Sequence, residues 1–424
     1  MSGSPRALAP RMPEPIRALL HERYEDIDPT QEITPLLDFM REAEVFHEFA
    51  HARDPFVVHL RGTWAMLAAW GQEEATCRCG LFHSAYTRDG FFFRYFDIRD
   101  DASRQALRDV VGAGAEAQIF NYCIGEAPWD EREYHSMGGH PAPPPAPGKF
   151  ALGEPIDPAG YDVPSRVDPS ITVHYTAQDI ANMSVVFVAD LIEQISTVST
   201  YGDIYHELSP GVLWPGTGLP GMGFAFYSRM LKSAAPYLPN VPPVFNGCTE
   251  ILDPRDELKA RDLYWEGVQR DNRMPKDEQE ELFRQATQLN PYVAEPHVML
   301  SQCLFNRGAF ELAAHHAVEA IDIFYQWGTN WDKRIQYPQW VGFARMALLR
   351  AKRRQEGLSG LPHQELSEHS RAKYDPTVTD RGKVTYLQDV LAAFEEHTEQ
   401  EEVEEEMAMA SEVTASGVSG RSRL

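Results

Sequence analysis

The sequence predicts an all-α protein, and three observations carry that prediction. Two dense apolar runs of helical length, Phe56 to Trp70 and Ala177 to Ser196, read as buried helices. From about Ala260 onward, medium, small and turn residues recur at a 34-residue offset. Gly267 pairs with Ser301, Phe283 with Ala317, and Ala286 with Ala320. Such a period is the mark of helix hairpins that bury their faces only by stacking on one another.

The elements follow in order. Residues 1–32 are rich in Pro, Arg and acids without periodicity and form a loose lead-in. A helical domain is expected over 33–205. In it, the helix ending at Trp70 stops at Gly71, a second helix runs from Glu73 to Phe82, and a third from Ser103 to Val111 is capped by Asp100 or Asp101. The stretch 136–170, with HPAPPPAPGK at its head, reads as a Pro-rich insertion unable to carry a helical core. Residues 206–254 are rich in Gly and Pro but also aromatic, which points to a packed connection with apolar surface to bury. The repeating helices occupy 255–352, with an inserted loop from Gly328 to Tyr337 before a third unit. A helical segment follows over 353–394. The tail 395–424 opens with eight glutamates in twelve residues, whose mutual repulsion keeps it solvated.

Composition narrows the function. Lys and Arg number 39 against 63 Asp and Glu, a formal charge of −24, which argues against general affinity for nucleic acid or an anionic membrane. No run approaches the ~18 apolar residues of a membrane span. Five scattered cysteines make neither a disulfide framework nor a zinc site of paired thiols, which suits a reducing compartment. The first twenty residues carry three Arg but no apolar core of a secretory signal. The expectation is a cytoplasmic protein, with organelle import as the alternative.

The candidate chemistry lies in the first folded region. Asp190 interrupts the apolar run VVFVADLIEQ, where an unpaired carboxylate costs several kcal/mol to bury. A positive partner should face it, either two imidazoles with a metal between them or an Arg such as Arg61 or Arg78. His59 stands on the first apolar helix and His83 ends the second. A separate stretch, His47-Glu48-Phe49-Ala50-His51, spells the HExxH of helical zinc proteases. It lacks a third ligand at a characteristic spacing, and Asp54-Pro55 breaks the helix, so a solvent-facing helix start is expected, with His47 or His51 available to the His59 pocket. The glycines of GTGLPGMG (216–223) lack the Lys-Ser/Thr of a phosphate loop and read as a turn packed under Trp214 and Phe224.

His59, the helix ending Gly-Leu-Phe-His83, and the distant Ala189-Asp190-Leu-Ile-Glu193 helix resemble the HD-domain metal-dependent phosphohydrolases. The likeness is nearest to their guanosine tetraphosphate hydrolase branch and extends to a subgroup reading His-Ser-x-Tyr, as His83-Ser84-Ala85-Tyr86 does. It covers roughly residues 45–200. The 34-residue recurrence likewise resembles tetratricopeptide repeats, which implies a protein or peptide partner in their groove. The HD resemblance implies one divalent ion (Mn, Fe or Zn) on His59, His83 and Asp190, with Ser84, Tyr86 and Glu193 lining the pocket. Ser84 replaces the family's second-position Asp, and Thr87 and Arg88 replace its following acidic pair, with Asp89 displaced beyond them. A neutral hydroxyl is a poor ligand for such a cation. The expected function is therefore a non-hydrolytic HD-like scaffold that binds a ligand or partner. The alternative is a metal-dependent phosphohydrolase acting on a nucleotide or other small phosphoester, and a third reading makes the histidines purely structural.

Overall fold

The computed structural model describes residues 33–42, 50–51, 54–86, 96–130, 148–198, 224–245, 254–270, 274–332 and 334–358. Within them the chain is all-α apart from two short antiparallel ribbons. Residues Met1–Glu356 form one compact unit that runs across the boundaries expected near 205 and 255. Of the second unit, Gly357–Leu424, only the first two residues are among those described. The acidic tail and the helical segment expected beyond 358 lie outside the described residues, as do GTGLPGMG and Trp214.

Helix α1 (Thr34–Glu42) precedes a two-residue ribbon, β1 (Ala50–His51) with β2 (Asp54–Pro55), in which Ala50 pairs with Pro55 and His51 with Asp54. This corrects one expectation. His51 stands in extended backbone, so the HExxH spelling does not set two histidines one turn apart on a helix, which is the spacing that motif needs. His47 itself lies outside the described residues.

Helix α2 (Phe56–Ala69) is apolar on nearly every side and buries His59, Thr63, Trp64 and Leu67 among others. Gly71 ends it at φ +69°, with Gly71 N–H donating to Ala68 and Gln72 N–H to Leu67, a left-handed helix stop. The turn folds α3 (Glu74–Phe82) back onto α2. Their close contact depends on Gly80, where a Cβ would lie 2.3 Å from Leu67 Cδ1. Helix α4 (Asp101–Val111) is capped by the Asp100 carboxylate, which accepts from the N–H groups of Ala102 and Ser103. Gly112 then turns the chain into α5 (Ala113–Ile124).

From Gly148 onward, where it is described, the stretch expected to be an insertion contributes to the core. Strands β3 (Tyr161–Pro164) and β4 (Thr172–Tyr175) pair in antiparallel register, Tyr161 opposite Tyr175. Phe150, Leu152, Ile156, Val163 and Tyr175 are buried, and the Tyr175 hydroxyl donates to Asn121 O on α5. Helix α6 (Ala177–Val198) is the centre of the first half: α2, α3, α5 and α7 (Phe224–Ala234) all pack against it.

The second half is a succession of five helices, α8 (Pro254–Gln269), α9 (Lys276–Leu289), α10 (Ala294–Asn306), α11 (Phe310–Trp327) and α12 (Tyr337–Gln355). Each packs against the next. Small residues sit where the helices meet: Ala286, Ala313, Ala317 and Ala320 are fully buried, and a Cβ on Gly267 would press on the Phe283 ring at 2.7 Å. The connection between α11 and α12 is no loose loop. Thr329 to Asp332 are buried, Tyr264 OH donates to Asp332 Oδ2 at 2.5 Å, and Glu295 Oε1 accepts the N–H groups of Trp331 and Asp332.

That polar knot carries a pH dependence. Burial lifts the Glu295 carboxyl to about 7, opposed by the N–H groups it accepts and aided by the Asp332 charge. An unfolded glutamate holds its proton only to about pH 4.3. The folded state therefore binds the extra proton between about 4.3 and 7, and its stability falls as pH rises through that window, by roughly 4 kcal/mol in all. Urea unfolding at pH 5 and pH 8 should show this decline in the wild type and a flatter response in Glu295→Gln. Equal slopes in the two proteins would assign the titration elsewhere.

The two halves meet at the far end of α2. Trp70 Nε1–H donates to Tyr325 O, and the Phe245 ring stands edge-on between Trp70 and Trp327 at centroid distances of 5.5 and 5.2 Å. Met66 packs under Gly328, the left-handed stop of α11.

Candidate metal centre

Helix α2 places His59 on the face turned toward α6, and the end of α3 brings His83 to the same point. Nε2 of His59 lies 3.2 Å from Asp190 Oδ1, and Nε2 of His83 lies 3.7 Å from the same oxygen. One nitrogen from each histidine and one Asp190 oxygen fall within 4.8 Å of one another, the one such trio of metal-ligating side chains among the described residues. The imidazoles stand edge to face with centroids 5.4 Å apart, each 4% exposed.

The opposite edges of both rings are tied down. His83 Nδ1 lies 2.7 Å from Gly80 O, which can only accept, so Nδ1 carries the hydrogen and Nε2 is turned to Asp190. His59 Nδ1 meets the carboxylate of Glu193 in a very short contact. Asp190 is itself oriented: Gln194 donates to Oδ1 at 2.7 Å and Tyr122 OH to Oδ2 at 3.3 Å. Burial opposes ionisation of the His59 ring, yet Asp190 and Glu193 together lift its pKa to about 9. Burial also works against the Asp190 charge, but His83 and His59 hold its carboxyl well below the ordinary range.

Of the residues expected at this site, His59, His83, Asp190 and Glu193 come together. Ser84 is buried directly after His83. The Tyr86 hydroxyl donates to Glu116 Oε1 at 2.7 Å. Glu116, 1% exposed, also accepts from Arg104 and Arg108 at 2.9 Å each, so Tyr86 belongs to a charge cluster that ties the turn after α3 to α4 and α5. Neither arginine named as an alternative partner reaches Asp190: Arg61 is exposed, and Arg78 bonds Glu74 and Val111 O. Thr87 to Asp89 lie outside the described residues. Tyr122 and Gly62 escaped the sequence reading. Gly62 follows His59 by three residues, one turn along the same face, and that spacing was the available signal.

The donor set fits a borderline divalent ion, since two imidazole nitrogens and a carboxylate oxygen suit Zn, Fe or Mn. Residues 40–126 match a family described as a domain of unknown function (DUF6817), a span that holds both histidines and stops short of Asp190. No curated protein and no solved structure matches the chain. No helix among the described residues is long and apolar enough to cross a membrane.

Proposed function

We propose that the first half of this protein is a single-metal helical domain of HD-like design, and that it binds a small anionic ligand at the ion without hydrolysing it. The observation that supports this most strongly is the division of labour around each imidazole. Both Nδ1 edges are spent on acceptors, and both Nε2 edges converge on one Asp190 oxygen. Charge balance supports a divalent ion. Asp190 and Glu193 bring two negative charges into a buried site, and one divalent cation with two neutral imidazoles cancels them. Ser84, where related domains carry an acid, favours binding over turnover because the hydroxyl supplies neither a charged ligand nor a base.

Phosphoester hydrolysis is the second reading, and the ligand count favours it. Three protein ligands leave coordination positions for water, which a bound ion can activate. The helices of 255–352 are read as tetratricopeptide-like and as the seat of a protein or peptide partner, a reading supported by the exposed apolar side chains Leu312, Phe343, Met346 and Leu349. Five scattered cysteines that make no disulfide framework support the cytoplasm as compartment.

Elemental analysis tests the central proposal. Purified protein should hold close to one equivalent of Zn, Fe or Mn, and His83→Ala should lose it. A chelator should lower the melting temperature of the wild type and leave His83→Ala unmoved. Protein that is metal-free after reconstitution, with a melting temperature indifferent to chelator, would leave a purely structural His–Asp cluster.

A further inference from the structure

We propose that Glu193 is a positioning residue for a metal held by His59, and that Gly62 is the gap in α2 that admits it; the inference rests on the metal reading above. Asp190 and Glu193 are three residues apart on α6, so one turn of one helix presents both carboxylates to the same ring. Asp190 takes the Nε2 edge of His59 at 3.2 Å and Glu193 takes the Nδ1 edge. The Glu193 side chain is only 12% exposed. A carboxylate drawn that far out of water needs a strong donor, and the His59 N–H is one.

Gly62 lies on the face of α2 that carries His59. A Cβ there would stand 2.7 Å from both Cγ and Oε1 of Glu193, closer than real side chains approach. Any other residue at 62 would push Glu193 aside. What gives way is the middle of a flexible side chain, so the displacement would fall on the carboxylate and spare the helices.

The consequence is chemical. A carboxylate that accepts the Nδ1–H of a metal-binding histidine fixes its tautomer and ring orientation and makes Nε2 a stronger electron-pair donor. Glu193 would thus act on the metal through His59 without touching it.

The test uses the full chain, stripped with chelator and titrated with Zn(II) against a competing chromophoric chelator. Co(II) absorption serves as a record of the ligand set. Glu193→Gln and Gly62→Ala should each weaken Zn(II) binding by about 10–100-fold while the Co(II) spectrum keeps its wild-type shape, because every ligand remains. A purely structural Glu193 would shift the melting temperature of the metal-free protein and leave the affinity unchanged, and that result overturns the proposal. A Co(II) spectrum altered in Glu193→Gln would make Glu193 a ligand and overturn it equally. Wild-type protein that takes up no metal sinks both this inference and the metal reading. Wild-type uptake with unchanged affinity in both variants sinks this inference alone.

Discussion

Under the proposed metal reading, Asp190→Ala is expected to abolish metal uptake, and in the metal-free protein to lower the unfolding free energy by about 3–5 kcal/mol, the usual cost of removing one partner of a buried charge pair. The carboxylate accepts from His59, Gln194 and Tyr122 and faces Nε2 of His83, so its loss takes away the oxygens on which the buried cluster converges. pH separates the pair from the metal. In the metal-free wild type the His59 pKa is raised from 6.5 to about 9. Its stabilisation is therefore present in full below 6.5 and lost as pH climbs to 9, about 3 kcal/mol across the window. A bound ion takes the Nε2 position from the proton and flattens that loss. Urea titrations at pH 6 and pH 9, with and without Zn(II), should thus differ in slope for the wild type and coincide for Asp190→Ala. An Asp190→Ala protein that keeps its metal and its stability would remove the shared oxygen from the account.

The parts of this site that were readable in the sequence share one property: their signal is local. Asp190 stands out because a single carboxylate interrupts an apolar helix, and burial demands a partner wherever the helix packs. Helices α2 and α6 stand out because their apolar runs are long, and Gly71 marks the end of α2 without reference to anything distant. Tyr122 carries no such mark. Whether its hydroxyl reaches Asp190 depends on how α5 is rotated against α6, which packing decides and periodicity does not. Composition misled the reading of residues 148–175, where prolines upstream hid two four-residue strands whose alternation is too brief to register. The Glu295–Asp332 knot was hidden for a related reason. An acidic residue at the start of α10 looks like a solvated first-turn glutamate, and only the return of the chain 36 residues later buries it. HExxH shows the converse. Its spelling is complete, yet spelling carries chemistry only when the backbone supplies the helix, and His51 lies in a ribbon closed by Pro55.

Trp70→Ala should be the most damaging single change outside the site, at about 3–5 kcal/mol, and it tests whether the two halves stand or fall together. The indole is fully buried at the end of the helix that carries His59. Its N–H reaches Tyr325 O on α11, and its ring meets Phe245, which in turn meets Trp327. Truncation removes a large apolar volume, leaves a cavity and deletes the hydrogen bond to Tyr325 O. Because these contacts bridge residues about 255 positions apart, the damage should be shared. Unfolding followed by far-ultraviolet circular dichroism and, under the proposed metal reading, by release of the ion should shift to lower urea by the same amount if α2 and α11 belong to one cooperative core. Under the proposed metal reading, metal affinity of the folded variant should stay close to that of the wild type, since Trp70 lies eleven residues beyond His59. Two separated transitions, with metal released in only one of them, would instead divide the molecule into an independent metal domain and an independent helical array, joined at an interface too weak to couple them.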